Sequence, residues 1–408
     1  MKRAMPTKAP IFKRILIHGF RSIRSQTVEF ANPLFLVGKN AAGKSNLLDA
    51  LAFLRESATE PLHTALDQRG GIASVRYRPG TGGRPVNLGL RVEFDPAGAG
   101  FAGWYAFEIR ALPDFGFEVS REECRVWRGN EHEYFTRRNG SIETSERGVR
   151  PMMAATSLAL PLVAGTKAFH HVGRLLGGVR IYSINPRAVG SLQEPDTGKT
   201  LKADGSNLAS VVNALARRGA SGKKRLDRKG HIRDLLASVV PGIVDFRVVQ
   251  HGTRVTLEFT QDYGNGKSAT FEAHSMSDGT LRALAILTAA YQYPRPRLLA
   301  VEEPESTIHP EALGTLLDVL RVAATQMQVV VTTHSPELLE AKWIGAENLR
   351  VVVWEGGVTK VLPLGPAPVK ALKKHLMGAG ELFRSNALDA DEAAGGNASE
   401  RTDLFASA

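Results

Sequence analysis

The stretch Gly38-Lys39-Asn40-Ala41-Ala42-Gly43-Lys44-Ser45 constrains this chain more than any other. It satisfies G-x-x-x-x-G-K-[ST] in full, follows the apolar run Leu34–Val37, and precedes Leu47, Leu51 and Leu54 at helical spacing. A strand running into such a loop and a helix leaving it make an anion cradle. The glycines let consecutive backbone N–H groups turn toward one phosphate, and the helix start adds partial positive charge. Lys44 is placed to reach the β- and γ-phosphates, and the Ser45 hydroxyl to join the shell of a Mg²⁺ ion. Residues Gly38 to Ser45 are therefore expected to hold a nucleoside triphosphate with its metal.

A second run carries acid chemistry. Leu298-Leu299-Ala300-Val301-Glu302-Glu303-Pro304 reads as a buried strand ending in two carboxylates. In phosphate-loop enzymes such a strand supplies an acid to Mg²⁺, which suits Glu302. Glu303, one residue on, can polarise an attacking water as general base. Alone, the pair also reads as a solvent-facing acidic turn. The phosphate loop upstream and Thr332-Thr333-His334-Ser335-Pro336 at the end of the next apolar run, Val329–Val331, favour the catalytic reading.

The remaining pattern predicts a mixed α/β fold. Lys13–His18 and Thr27–Phe30 read as paired strands. Val86–Phe94, Trp104–Ile109, Phe115–Val119 and Cys124–Trp127 read as separate strands of an antiparallel β-subdomain. Pro151 to Val240 reads mainly helical. Strands return at Ile243–Val249, Arg254–Phe259 and Ala269–Phe271, and Leu313, Leu316, Leu317 and Leu320 mark a helix between two buried strands. Strands alternating with helices imply a parallel core sheet. The expected domains are an N-terminal lobe over 11–150, a helical insertion over 151–240, a C-terminal lobe over 241–365, and a tail over 366–408. The small, acidic stretch from Asp389 onward is expected to lack structure.

Four motifs bring these pieces together. Ser275-Met276-Ser277-Asp278-Gly279-Thr280 resembles an ABC signature, and Glu305-Ser306-Thr307-Ile308-His309-Pro310 a D-loop. His334 resembles a switch histidine, and Gly19-Phe20-Arg21-Ser22 the entry turn of RecF- and SMC-like heads. In order and spacing the chain resembles ABC-type ATPases of the RecF/SMC/OLD group, across about residues 11–365 and including Asp204-Gly205-Ser206-Asn207-Leu208. The resemblance implies a P-loop NTPase head using ATP and Mg²⁺. Glu303 and His334 act in hydrolysis, Arg21 steadies the nucleotide or the signature helix, and Ser45 and Glu302 serve the metal. Ser277 and the Gly279 amide touch the γ-phosphate of a second copy, so ATP closes a homodimer and hydrolysis opens it. Two departures stand out: Glu302 where Asp is usual, and Asp278 in place of a signature glycine. Gln68 lies where a Q-loop residue could fall but reads rather as an ordinary surface glutamine.

The segment after His334 is too short for the Toprim nuclease domain of OLD proteins, and 151–240 lacks the heptads of a coiled-coil arm. The expected role is therefore an ATP-gated switch for a separately encoded effector, in anti-phage defence. A RecF-like DNA-binding repair ATPase is the alternative, and a non-hydrolysing scaffold a third. The formal net charge of +11 speaks for an anionic partner. The cations Arg217, Arg218, Lys223, Lys224, Arg225, Arg228 and Lys229 face one acid, Asp227, and read either as a solvated loop or as a DNA track. One cysteine, Cys124, excludes an internal disulfide. No apolar run nears the roughly 18–20 residues that cross a bilayer, and Ile15-Leu16-Ile17 is too brief for a signal core, so a cytoplasmic protein is expected. His170-His171, being adjacent, point apart and do not read as a metal pair. Gly80-Thr81-Gly82-Gly83 reads as a turn.

Overall fold

The computed structural model describes residues 9–78, 87–114, 116–138, 140–145, 153–219, 227–393 and 403–406. The chain divides into two compact units, one joining Lys8–Val179 to Gly345–Ala408 and the other built on Arg180–Ile344.

In the first unit a seven-stranded antiparallel sheet runs in the order Ile23–Glu29, Phe12–Phe20, Leu88–Phe94, Ala102–Ala111, Phe117–Arg128, Glu131–Arg138, Ser141–Thr144. The helix Lys44–Thr59 buries Leu47, Leu51 and Leu54, as their spacing predicts. Its Phe53 ring lies 5.7 Å from Phe20 and 6.1 Å from Phe107, which seats the helix on the sheet. Rings at such separations add to what burial of their area already contributes. The strand Leu34–Val37 pairs in parallel with Leu349–Glu355, which pairs antiparallel with Val358–Leu362.

Two expectations change here. Phe117–Arg128 is one twelve-residue strand instead of two. Glu122 and Glu123, which interrupt the apolar pattern, are both buried and paired: Glu122 accepts from the Ala159 and Leu160 amides and the Tyr105 hydroxyl, and Glu123 from Arg121 and Arg125. Buried carboxylates with donors can sit inside a strand, and the polar break read from sequence vanishes. Residues past Asp389 are not all without structure. Leu404 is buried, Arg91 Nη1 donates to the Leu404 carbonyl at 3.1 Å and to that of Ala406 at 2.6 Å, and the Arg121 guanidinium lies 4.0 Å from the Phe405 ring centroid.

In the second unit the strands Leu298–Glu302 and Gln328–Thr333 run parallel, with Val301 opposite Val331 and Glu302 opposite Thr332. The helix Pro310–Ala324 connects them and buries Leu313, Leu316, Leu317 and Leu320. A three-stranded antiparallel sheet, Ile243–His251, Arg254–Asp262 and Ser268–Glu272, also belongs to this unit, as do the helices Leu208–Gly219, Arg228–Val239 and Asp278–Tyr291. The region 151–240 is not wholly helical, since Val179–Tyr182 is a strand. Asp204 to Leu208 shape a helix start. Asp204 Oδ1 accepts from the Ser206 amide, and the buried Asn207 side chain accepts from Lys202 N and donates to Asp196 and to the Thr200 carbonyl. No described helix is long and apolar enough to cross a membrane.

Candidate active site

The loop Gly38 to Ser45 lies in the first unit. Ala41 (φ 62°) and Gly43 (φ 101°) hold left-handed backbone, which curls the loop. Lys44 is 5% exposed, and its ammonium donates to the carbonyls of Gly38 at 2.8 Å and Lys39 at 3.1 Å. A cation parked on two carbonyls can exchange them for phosphate oxygens. Ser45 follows in the first helical turn.

A brace that the sequence did not announce fixes the loop from outside. Thr359 Oγ1 donates to the Ala42 carbonyl at 3.0 Å and lies 2.6 Å from Ser22 Oγ, while Asn46 Nδ2 donates to that same Ser22 oxygen at 2.5 Å. A Cβ added to Gly43 would come 2.0 Å from Thr359 Oγ1, so only glycine fits. Arg21, also left-handed (φ 49°), donates through Nε to Asp49 Oδ2 at 2.6 Å, and Arg69 Nε donates to Asp49 Oδ1 at 2.8 Å. Arg21 is thus tied to the loop's helix at the entry turn. A cavity of about 870 Å³ opens beside the loop, lined by Gly38 to Ala42, Trp354 and the C-terminal residues Phe383, Leu388, Asp389 and Glu392 among others.

The second unit gathers the acid and base candidates. Glu302 ends its strand, and the next residue, Glu303, turns left-handed (φ 42°) with its amide donating to the Thr332 carbonyl at 3.1 Å. Such backbone costs about 1–2 kcal/mol and persists where the surroundings enforce it. Glu303 Oε1 then lies 3.1 Å from His334 Nδ1, within ion-pair distance but out of line for a hydrogen bond. Glu305 stands behind them: its Oε1 accepts from the Thr333 hydroxyl at 2.6 Å and the His334 amide at 3.3 Å. Burial raises the Glu305 pKa, against the opposing pull of those donors.

Ser277 caps the helix Asp278–Tyr291, its hydroxyl accepting from the Thr280 amide at 3.2 Å. Asp278 sits in the first turn, where a carboxylate suits the positive helix end. Ser277 and Gly279 therefore stand together at a helix start, beside the turn that carries Thr307. Arg282, one turn on, reaches the Glu303 carbonyl at 3.5 Å, and burial lowers its pKa while Asp278, Glu305 and Glu303 raise it.

Other singled-out residues lie elsewhere. Gln68 is exposed at a helix end. His170 and His171 begin a short helix in edge contact, 5.8 Å between centroids. Of the basic run, residues 220–226 and the Arg218 side chain fall outside the described set, as does Gly80 to Gly83. Arg228 lies over the Tyr293 ring at 4.8 Å and Lys229 pairs with Asp245 at 3.2 Å. Thr359, Arg282 and the roles of Ser22 and Glu305 escaped the sequence reading. Ser22, in the entry-turn motif, and Glu305, in Glu-Glu-Pro-Glu, left visible hints.

Comparison with known proteins agrees with this geometry. The family described as "AAA domain, putative AbiEii toxin, Type IV TA system" matches residues 134–340, and a second AAA-domain family matches residues 14–60. No curated protein matches the chain. Among solved structures, an Smc head bound to the C-terminal winged-helix domain of ScpA is 13% identical, with a TM-score of 0.56 over 88% of this chain and 99% of that one. An Smc head with an extended coiled coil, bound to the C-terminal domain of ScpA and derived from Pyrococcus furiosus, is 12% identical, with a TM-score of 0.55 over 90% and 99%. Identities this low speak for the fold alone. With the first family covering half its length and the fold of an Smc head, the chain belongs to that AAA-domain family and is an ABC-type ATPase of the RecF/SMC group.

Proposed function

We propose that the chain hydrolyses Mg-ATP and works as an ATP-gated pair of heads controlling a separately encoded effector, in anti-phage defence. The contact that carries the hydrolytic part is Glu303 Oε1 to His334 Nδ1, at 3.1 Å between the ends of two parallel strands. In this reading Gly38 to Ser45 bind the triphosphate, and Lys44 leaves its two carbonyls for β- and γ-phosphate oxygens. Ser45 and Glu302 hold Mg²⁺, which supplies charge neutralisation on those oxygens when bound. Glu303 takes a proton from the attacking water, and His334 directs a hydrogen bond to the γ-phosphate. Ser277 and the Gly279 amide meet the nucleotide of a second copy, so that closure lasts while the γ-phosphate does.

Support for a partner and a defence role comes from the family description, which names a toxin of a type IV toxin–antitoxin system, and from Smc heads of similar fold that bind ScpA. The decisive experiment compares the wild-type chain with Glu303→Gln. The variant should bind ATP normally, lose turnover by at least about a hundredfold, and accumulate as a dimer in light scattering. Full turnover by the variant, or a wild-type chain that stays monomeric with ATP, would sink the reading. The net charge of +11 favours a second reading, a RecF-like DNA-dependent ATPase. There DNA raises turnover and affinity falls steeply with salt; the absence of salt-sensitive binding removes it.

A further inference from the structure

We infer that Glu305 is the positioning residue for the switch histidine. It rests on the hydrolytic reading above and adds to it the part that sets the histidine against its carboxylate. Glu305 is three residues past the metal candidate, and its side chain is 8% exposed. One oxygen, Oε1, does all the bonding. It accepts from the Thr333 hydroxyl and the His334 amide, and lies 3.9 Å from His334 Nδ1. Both residues at the end of the strand Gln328–Thr333 are thereby tied to one carboxylate reached from the turn after the neighbouring strand.

The other oxygen, Oε2, is buried with no hydrogen-bond partner. A buried carboxylate with an orphan oxygen is an unfavourable way to tie down a loop, since each unsatisfied polar atom costs free energy. It fits a side chain kept for the neighbours it holds in place, Thr333 and His334. Two carboxylates flank Nδ1, Glu303 at 3.1 Å and Glu305 at 3.9 Å, and neither is aligned for a hydrogen bond. Glu305 holds the backbone of His334, whose ring lies beside Glu303. Arg282, whose Nε is likewise buried and unpartnered, lies on the helix that Ser277 caps and feels the charges of Glu305 and Glu303.

The test measures kcat, KM, affinity for a fluorescent ATP analogue and thermal unfolding in full-length Glu305→Ala, Glu305→Gln and Thr333→Val. Glu305→Ala should lower kcat about a hundredfold, the scale of a misplaced reacting group, with KM and analogue affinity within about threefold. Glu305→Gln keeps the accepting oxygen and should recover most of that loss. Thr333→Val removes only one donor and should lower kcat about tenfold, with KM and analogue affinity within about threefold. The inference is overturned if Glu305→Ala keeps wild-type kcat, if kcat and affinity fall together, or if Glu305→Gln is as slow as Glu305→Ala. A wild-type chain that does not turn over ATP would instead overturn the hydrolytic reading itself.

Discussion

A Cβ placed on Gly279 would stand 2.4 Å from the carbonyl oxygen of Thr307. The start of the Ser277-capped helix and the turn after the acidic strand thus share a boundary with no room for a side chain, and Thr307 holds left-handed backbone (φ 66°) to keep it there. Gly279→Ala must push two backbones apart. An overpacking cost of about 1–3 kcal/mol is expected, with a lower unfolding midpoint in calorimetry and ATP turnover reduced by at least about tenfold. An unmoved midpoint would mean that the contact relaxes freely.

The loop Gly38 to Ser45 holds one other cation, Lys39, which is exposed where Lys44 is buried. Lys44→Met keeps the apolar stem and removes the ammonium from the Gly38 and Lys39 carbonyls. Titration calorimetry should show ATP affinity weakened by about a hundredfold or more, while the ligand-free protein loses only the roughly 1–3 kcal/mol of a charged hydrogen bond. Undiminished affinity would place the nucleotide elsewhere.

Thr359→Val tests the brace. Valine fills the same space but cannot donate to the Ala42 carbonyl or pair with Ser22. The expected cost is about 1–2 kcal/mol of stability, with ATP binding weakened severalfold because the loop is less fixed before the ligand arrives. Chemical denaturation and calorimetry on the same sample separate the two effects.

Stability should depend on pH through Glu122. Complete burial pushes its pKa up to about 7, against the pull of the Ala159 and Leu160 amides, Tyr105 and Arg137. The folded-state value lies above the unfolded one, so the unfolded chain releases this proton first. The contribution is therefore neutral below about 4.5, and stability falls as pH rises from there through about 7, by on the order of 3 kcal/mol in all. Glu122→Gln should flatten that part of a thermal-unfolding series against pH. An unchanged slope would assign the dependence to other groups.

Much of this was legible because the relevant residues are neighbours in the chain. Gly38 to Ser45, the apolar run ending at Glu302, and Leu313 to Leu320 each carry their meaning in a few consecutive positions. Thr359 was not legible: its partner Ala42 lies 317 positions away, and nothing in Gly357-Val358-Thr359 marks a hydroxyl aimed at a distant carbonyl. Glu122 and Glu123 misled for the opposite reason. A local rule takes charged residues out of strand interiors, while donors supplied by Ala159, Leu160 and Arg125 let them stay. Leu404 and Phe405 look like tail residues until Arg91 and Arg121 give them a place to dock.

The Thr359 contact also bears on the order in which a ribosome delivers this protein. The glycine-rich loop leaves the exit tunnel early, yet its bracing hydroxyl emerges more than three hundred residues later. Until then the loop has no outer wall, and closing so long a stretch of chain is slow. A nascent chain halted before Val358 should bear the full phosphate-binding sequence and still fail to grip a nucleotide, so the birth of ligand binding would report completion of the hairpin that carries Thr359.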